Sequence, residues 1–266
     1  MPSRIQKARD AYVEKDIELT KKAHAKKTIQ EHPEQHTAEK GQYLGEFVYG
    51  AIDGTITTFA VVAGATGAGL SSGIVIILGF ANLLADGFSM ACGNFLSERS
   101  QRQYIQKERR REQWEIEHVP EGEKEEVREI FQKKGFSGKD LDRAVEIITS
   151  DKKTWVDTMM KDELGLLESN KSPWMTAGMT YFGFIVVGLI PLLAYVLSYV
   201  FPFFEQNTFG IAVMMTMVAL VVIGAIKRIV AKTNLWKAVL ETVFIGGAAA
   251  AMAYYVGFLL QWIITL

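Results

Sequence analysis

The stretch ANLLADGFSMACGNFLSERSQRQ, residues 81–103, is where this chain changes from apolar to charged. The apolar run 73–97 ends inside it, and Asp86 is the only charged side chain of that run. Beyond it, residues 98–172 hold 16 basic and 18 acidic side chains. A run of about 20 apolar residues is typical of a membrane-spanning helix, whereas a segment this rich in charge needs water. The stretch therefore predicts a membrane span followed directly by a soluble domain.

Five apolar runs of this kind occur along the 266 residues. They cover residues 46–66, 73–97, 174–200, 208–227 and 238–264. Each is long enough to cross a hydrocarbon core of about 30 Å at a rise of about 1.5 Å per residue. We therefore predict an all-α integral membrane protein of five transmembrane helices, with a cytosolic helical domain inserted between the second and the third.

The distribution of charge divides the chain into four segments and orients them. They are an N-terminal tail (1–45), transmembrane helices one and two (46–97), the insert (98–172) and transmembrane helices three to five (173–266). All 29 Lys and Arg side chains lie in the tail, in the insert and in the short loop 227–237. Basic residues concentrate on the cytoplasmic side of membrane proteins. The N-terminus and the insert are therefore expected in the cytosol, and the C-terminus on the opposite side.

The insert is predicted to be helical. Residues 98–117 contain neither Gly nor Pro and are rich in strong helix formers. Three further helices are expected at about 120–134, 138–149 and 151–167, with Pro120 in the first turn of the first of them. The tail before residue 40 is only weakly amphipathic, and its sequence is compatible with either a surface helix or disorder.

Composition excludes several classes of protein. A net charge of −1 and the lack of a nucleic-acid-binding fingerprint argue against a nucleic-acid partner. Cys92 is the only cysteine, which excludes a disulfide within the chain and a multi-cysteine metal site. No nucleotide-binding loop and no His-Glu-x-x-His motif is present, and we expect no enzyme.

Asp53 lies inside the first span, in GAIDGTITTF (50–59). An ionisable side chain in a span costs about 2.5–3.5 kcal/mol on insertion scales, so a compensating role is expected. Small residues recur around it at helical spacing: Gly50, Gly54, Thr57 and Gly64. Such a stripe lets another helix approach closely, so Asp53 is expected to face a helix interface or a cavity.

The second span carries a stripe at four-residue spacing: Asn82, Asp86, Met90 and Asn94. These groups can line a metal path, since carboxylate oxygen suits hard divalent ions and a thioether adds affinity for softer ones such as Fe(II). Alternatively, the stripe only forms hydrogen bonds to neighbouring helices, and Met90 fills space. The spacing alone does not decide between the two.

Pairs of potential ligands also recur in the insert. Three pairs are three or four residues apart: Glu112 with Glu115, Glu123 with Glu126, and Met159 with Glu163. Such spacings place each pair on one helical face, so three helices can bring these side chains to a common point. The insert is rich in acidic residues, however, and solvated ion pairs with Lys and Arg explain the same pattern.

Three stretches together resemble the vacuolar iron transporter family. GAIDGTITTFAVVAGATGA (50–68) and ADGFSMACGNFLSERSQ (85–101) are similar to the Asp-Gly and Ser-Met-Ala-x-Gly motifs of its first two spans. DTMMKDELGL (157–166) is similar to the end of its cytosolic insert, and the resemblance covers roughly residues 40–266. It implies a homodimeric, proton-coupled exporter of Fe(II), with Mn(II), Co(II) and Zn(II) as alternative ions and no permanently bound cofactor. The small-residue stripe of the first span offers a close-packing face for such a dimer.

The resemblance also implies roles for individual residues. Asp53 and Met90 match the translocation path, and Asp86 and Asn82 are expected to line it beside them. The metal-collecting residues of the insert match Glu112, Glu115, Glu123, Glu126, Met159 and Glu163. Asn82 and Asn94 stand where some members carry Glu. An amide ligates less well than a carboxylate and takes up no proton near neutral pH, so the number of protons exchanged is open.

The resemblance implies export from the cytosol, across the inner membrane of a prokaryote or the vacuolar membrane of a plant or fungus. Two other classes are compatible with the residues. One is a membrane-anchored metal sensor or buffer that transports nothing. The other is a membrane enzyme of the di-iron carboxylate type, a class that favours Glu-x-x-His pairs on its bundle helices.

Overall fold

The computed structural model describes residues 11–25, 42–169, 171–231 and 234–265, and the side chains of residues 229–231 are outside this description. The chain separates into two units, residues 1–42 and 43–266. In the first unit, helix α1 (Ile17–Ala23) begins after Asp16, whose carboxylate accepts a hydrogen bond of 2.9 Å from the amide of Leu19. Most of the predicted tail falls outside the described residues.

The second unit contains ten α-helices within the described residues. In chain order they are α2 (Leu44–Gly67), α3 (Ser72–His118), α4 (Pro120–Lys133), α5 (Gly138–Thr149), α6 (Lys152–Thr158), α7 (Pro173–Gly188), α8 (Ile190–Ser198), α9 (Pro202–Glu205), α10 (Thr208–Ala231) and α11 (Leu235–Ile264). A π-helical turn, Met159–Glu163, directly follows α6.

Four of these helices, α2, α3, α10 and α11, are each long and apolar enough to cross a membrane. The pair α7 and α8 is bent by 41°, and it makes a fifth span if the two helices cross together. The bend lies at Leu189, two residues before Pro191. Proline has no amide hydrogen to donate and its ring clashes with the preceding turn, so a helix bends there. Since every element in the described part of the chain is helical, the predicted all-α membrane fold is confirmed.

Helix α3 joins the membrane spans to the insert. Its 47 residues are about 70 Å long, more than twice the thickness of a hydrocarbon core of about 30 Å. The first half is the second membrane span, and the second half continues into the insert without a break. Residues 98–117 hold no Gly or Pro, so nothing interrupts the helical hydrogen bonding where the chain leaves the lipid.

The insert packs its helices around an apolar core of its own. Ile105 and Ile116 of α3 lie in this core with side chains from α4, α5 and α6. The predicted helix 151–167 is wrong at its C-terminal end, because the π turn ends at Glu163 and Gly165 has a φ of +65°. A residue in the left-handed region ends a helix, and glycine adopts that conformation without strain.

Helix α2 is the centre of the membrane part and packs against α3, α7, α10 and α11. Its glycines permit very close approaches, since a Cβ at Gly50 would lie 2.0 Å from the carbonyl oxygen of Thr180 in α7. Gly54 faces the backbone of Phe184 in the same way, and Gly64 faces Ala253 of α11. The glycines of the small-residue stripe are thus covered within the chain. Contrary to expectation, they do not offer a contact face to a second copy.

Candidate metal site

Three carboxylates of the insert converge where α3 ends and α4 begins. Glu112 and Glu115 come from α3 and Glu123 from α4, and one carboxylate oxygen of each lies within 4.8 Å of the others. Glu112 is 1% exposed and Glu123 is 7% exposed, which is unusual for acidic side chains. The chain turns at Val119, and Pro120 opens α4, so the first turn of α4 lies beside the last turns of α3. Three acidic ligands this close together can hold a divalent cation.

Glu126 and Glu163 belong to the same group. Desolvation first, and then the charges of Glu126 and Glu112, together raise the pKa of Glu163 to about 7. Both side chains are exposed at the rim of the cluster. We call these five residues, Glu112, Glu115, Glu123, Glu126 and Glu163, the insert carboxylate group. Three of the five acids predicted from the sequence therefore converge, and Glu126 and Glu163 are close enough to interact with them electrostatically.

Met159 opens the π turn that follows α6. Its side chain is fully buried in the apolar core of the insert. The π turn packs against both α3 and α4, the two helices that carry the three converging carboxylates. Met159 therefore lies on an element that reaches the insert carboxylate group. Its thioether is the one soft donor among the predicted ligands of the insert.

Burial governs the electrostatics of this group. Desolvation first, and then the neighbouring charges of Glu126 and Glu112, together raise the pKa of Glu123 to about 7. One carboxylate oxygen of Glu123 is buried without a hydrogen-bond partner within the described residues. A buried carboxylate that lacks partners is costly. A bound cation or a proton would relieve this cost.

Arg111 supplies the positive charge that faces the group. Its guanidinium donates to a carboxylate oxygen of Glu112 at 2.8 Å. It also lies 3.3 Å from Glu108 and 3.6 Å from Glu115. Desolvation raises the pKa of Glu112, and the hydrogen bond from Arg111 opposes that rise. Arg111 is not among the residues predicted from the sequence, although its spacings of three and four to Glu108 and Glu115 are a visible signal.

A second pair of carboxylates lies within the membrane spans. Asp53 of α2 and Asp86 of α3 are half-buried and close enough to repel each other electrostatically. Met90 packs against the apolar core of the membrane part. Asp53 and Asp86 therefore lie where α2 and α3 face each other.

The two asparagines of the stripe differ in their surroundings. Asn94 donates to the hydroxyl of Thr180 in α7 at 2.8 Å. This bond agrees with the alternative that the stripe forms hydrogen bonds to neighbouring helices. Asn82 has a buried amide nitrogen without a partner in the described part of the chain. Within the described residues, the stripe thus makes one helix-to-helix hydrogen bond and holds one buried amide nitrogen without a partner.

Two short motifs found in enzymes occur in the chain, in settings that do not suit catalysis. Glu115 and His118 form one Glu-x-x-His pair, but di-iron carboxylate proteins use two, and the His118 ring stacks on Trp114 at 4.3 Å. The loop GLSSG (69–73) fits Gly-x-Ser-x-Gly, whose serine sits on a turn between a strand and a helix. Here it connects two membrane helices, and Ser71 precedes the first residue of α3.

Carboxylates inside the spans of a multi-pass helical protein mark functional sites such as the ion and proton paths of membrane transporters. Residues 44–258 match the family model of the VIT family. The chain is 36% identical to the vacuolar iron transporter of Toxoplasma gondii over 98% of this chain and 89% of that protein. It is 37% identical to the vacuolar iron transporter of Plasmodium falciparum over 83% of both chains. It is also 32% identical to vacuolar iron transporter 1 of Oryza sativa over 84% of this chain and 87% of that one.

The chain therefore belongs to the VIT family, whose members are transporters and not enzymes. The resemblance in the motifs of its first two spans is confirmed. The protein is a multi-pass membrane protein of this family.

Proposed function

We propose that this protein exports a divalent transition metal ion, foremost Fe(II), from the cytosol in exchange for protons. Its relatives are named vacuolar iron transporters. The observation that carries the proposal is the buried oxygen of Glu123, which lacks a hydrogen-bond partner among the described residues and lies among converging carboxylates. An arrangement of that kind is costly unless a cation or a proton neutralises it.

The insert carboxylate group collects the metal ion in this proposal. Carboxylate oxygens bind hard and borderline divalent ions, and the Met159 thioether adds affinity for Fe(II) over Mg(II). Mn(II), Co(II) and Zn(II) fit the same donors, since affinity for divalent metals at such sites follows a common order. Because α3 carries both Glu112 and Asp86, the collecting group and the membrane carboxylates are joined by one continuous helix.

The metal ion then passes between α2 and α3. Asp53 and Asp86 supply charge, Met90 a soft donor, and Asn82 an amide on the same side of the second span. Protons return through the same carboxylates, because a metal ion and a proton compete for the same oxygens. Asn82 and Asn94 carry no proton near neutral pH, so Asp53 and Asp86 are the proton carriers of the spans.

The proposed direction of metal transport follows from the distribution of Lys and Arg. This distribution supports a cytosolic N-terminus and insert and an external C-terminus. The membrane would be the inner membrane in a prokaryote and the vacuolar membrane in a plant or fungus. We also propose a homodimer, since five spans are few to enclose a path. With the glycines of α2 covered within the chain, the dimer contact must use another surface.

Flux measurements in proteoliposomes test the proposal. Metal entry and luminal pH are recorded together for Fe(II), Mn(II), Co(II) and Zn(II). In Asp53→Asn, both metal and proton flux should be lost, because the variant keeps the shape of the side chain without its charge. Glu205→Gln is the matched control, since Glu205 is an exposed acid in the short helix α9. Exchange at the wild-type rate in Asp53→Asn would refute the role of the span carboxylates.

A metal sensor or buffer is the second candidate. The observation in its favour is that the insert has its own apolar core and its own carboxylates, separate from those of the spans. The same assay separates the two functions. Metal binding by the purified protein, without metal entry into the vesicles, would support the sensor.

A further inference from the structure

We propose a second cation site at the junction between the insert and the membrane spans, which receives metal ions from the insert carboxylate group. This inference rests on the proposed transport function. A cavity of about 330 Å³ opens there, and we call it the junction cavity. Its polar lining consists of Glu46 and Tyr49 of α2, Asn94, Ser97 and Glu98 of α3, and Thr176 of α7.

Two buried oxygens in the lining lack hydrogen-bond partners within the described residues. Thr176 is 6% exposed, and its hydroxyl oxygen has no partner there. The Glu46 side chain is 14% exposed, and its Oε2 likewise has none. Burial of polar oxygens without partners costs free energy that most proteins avoid. Both residues line the junction cavity, so a cation held there would lie beside these two unpartnered groups.

The remaining donors are also oxygens. Glu98 accepts a hydrogen bond of 2.9 Å from the Ser169 hydroxyl and keeps further acceptor capacity on its carboxylate. Asn94 uses its amide nitrogen to bond Thr180 in α7 at 2.8 Å, so its oxygen is the group left to accept. Two carboxylates, an amide oxygen and a hydroxyl form a donor set for a hard divalent cation such as Mn(II) or Fe(II).

An internal cation already occupies part of this site. The Lys171 ammonium group donates to Oε1 of Glu46 at 2.6 Å. Lys171 and Ser169 belong to the segment that leads from the insert back to α7. Both acids of the junction cavity are thus held by this segment, Glu46 through Lys171 and Glu98 through Ser169. A metal ion that enters must displace the Lys171 ammonium group from Glu46.

The position of the cavity suits a transfer step. Glu46 lies seven residues before Asp53, two helical turns along the same face of α2. Asn94 lies four residues after Met90, one turn along the same face of α3. The junction cavity is therefore in line with the span carboxylates. It also lies along α3 on the way to the insert, because α3 contributes residues to both. A metal ion leaving the insert would reach oxygen ligands here before it enters the span.

Mn(II) binding to the full-length protein in detergent tests this site, with bound ions counted by electron paramagnetic resonance. Glu46→Gln should lose one bound ion per chain relative to wild type, and metal entry into proteoliposomes should fall with it. Lys171→Gln should instead bind its junction ion several-fold more tightly, because the competing ammonium group is gone. That gain cannot arise from a misfolded protein. Glu241→Gln is the matched control, since Glu241 pairs with Lys227 at 2.8 Å and lines no part of the cavity.

The outcomes separate this inference from the transport proposal. If wild type moves no metal, the transport proposal fails. If wild type moves metal while Glu46→Gln keeps both its full count of bound Mn(II) and its transport rate, only the junction site is refuted. Unchanged affinity in Lys171→Gln would also overturn it, because the ammonium group would then not compete with the metal ion.

Discussion

Arg111 and Glu123 affect the charge of the insert carboxylate group in opposite ways. Arg111 donates to Glu112 and approaches Glu108 and Glu115, so it lowers the repulsion among the acids of α3. Glu123 lies on α4, is nearly fully buried and keeps an oxygen without a partner within the described residues. The group is therefore only partly neutralised by its own chain. The unsatisfied part is where a proton or a metal ion binds most favourably.

Metal affinity is expected to fall as the pH drops below about 7. The pKa values of Glu123 and Glu163 are raised to about 7, so below that pH both carboxyls hold protons that a metal ion must displace. Each displaced proton lowers the apparent affinity about tenfold per pH unit. Calorimetric titration of Mn(II) into the full-length protein at about pH 6 and about pH 8 measures the change. Equal affinity at the two pH values would contradict the prediction.

The stability of the metal-free protein should change with pH in the same window. Because the pKa of Glu123 rises from its ordinary 4.5 to about 7 on folding, the folded state binds more protons than the unfolded state between these values. The free energy of unfolding should therefore decrease as the pH rises from about 4.5 to about 7. Glu123→Gln should remove part of this dependence, as measured by thermal unfolding in detergent without metal.

Removal of the Arg111 charge should strengthen metal binding. In Arg111→Gln the guanidinium no longer competes for Glu112, and the affinity for Mn(II) should rise by up to about fivefold, since an ion pair of a half-exposed side chain is worth about 1 kcal/mol or less. Arg110→Gln is the matched control, because Arg110 lies on the same helix and donates to the backbone oxygen of Gln106. A similar gain in both variants would indicate a general effect of charge instead of competition at the group.

At the level of the elements, close backbone contact holds the membrane helices together. α2 and α7 touch through glycines on both sides: Gly50 and Gly54 on α2, and Gly183 and Gly188 on α7. Apolar side chains gain little from leaving lipid for a helix interface, so close packing carries most of the association. α3 serves differently, as a single rod that fixes the insert to the second span.

A methyl group at the α2–α7 contact should destabilise the protein. A Cβ at Gly183 would lie 2.3 Å from the carbonyl oxygen of Phe47, so Gly183→Ala must push the two backbones apart at a cost of about 1–3 kcal/mol. Gly178→Ala changes the same helix where no atom lies within 4 Å of the added group. It should be neutral or slightly stabilising, because alanine favours a helix over glycine. Thermal unfolding in detergent compares the two, and an equal loss in both would refute close packing as the cause.

For the whole molecule, the order of the spans along the chain decides on which side of the membrane the metal site lies. The insert follows the second span and the C-terminus follows the fifth, so the two lie on opposite sides if all five spans cross. All Lys and Arg lie in the tail, the insert and the loop 227–237, none in the loops on the other side, and this distribution favours the cytosol for the insert. Metal captured by the insert would then leave the cytosol through the spans.

Cysteine labelling in intact cells or vesicles checks this topology. In a Cys92→Ser background, Ser150→Cys places a thiol on the exposed end of α5, and Thr265→Cys places one after α11. A membrane-impermeant maleimide applied from outside an intact cell should label Thr265→Cys and not Ser150→Cys. After detergent is added, both should react, which shows that each thiol is accessible. Labelling of both in intact cells would contradict an odd number of spans.

The sequence by itself determined the spans and the residue types of the sites. The predicted spans 46–66 and 208–227 lie within α2 and α10, because lipid demands a minimum length of apolar helix and tolerates few charges. α4 and α5 were equally predictable, since proline and glycine mark their ends. The acidic pairs of the insert could be read from their spacing, because residues three apart share a helical face.

Only the tertiary structure decided which of these groups meet and what covers them. The glycines of α2 are covered by α7 and α11. The spacing of the glycines does not predict which helices cover them, because any helix would fit against such a stripe. The position of Arg111 against Glu112, the burial of Glu123 and the junction cavity around Glu46 likewise arise between separate helices. A sequence pattern fixes which face of a helix a residue occupies. Burial, and with it the pKa of a carboxylate, depends on what packs against that face.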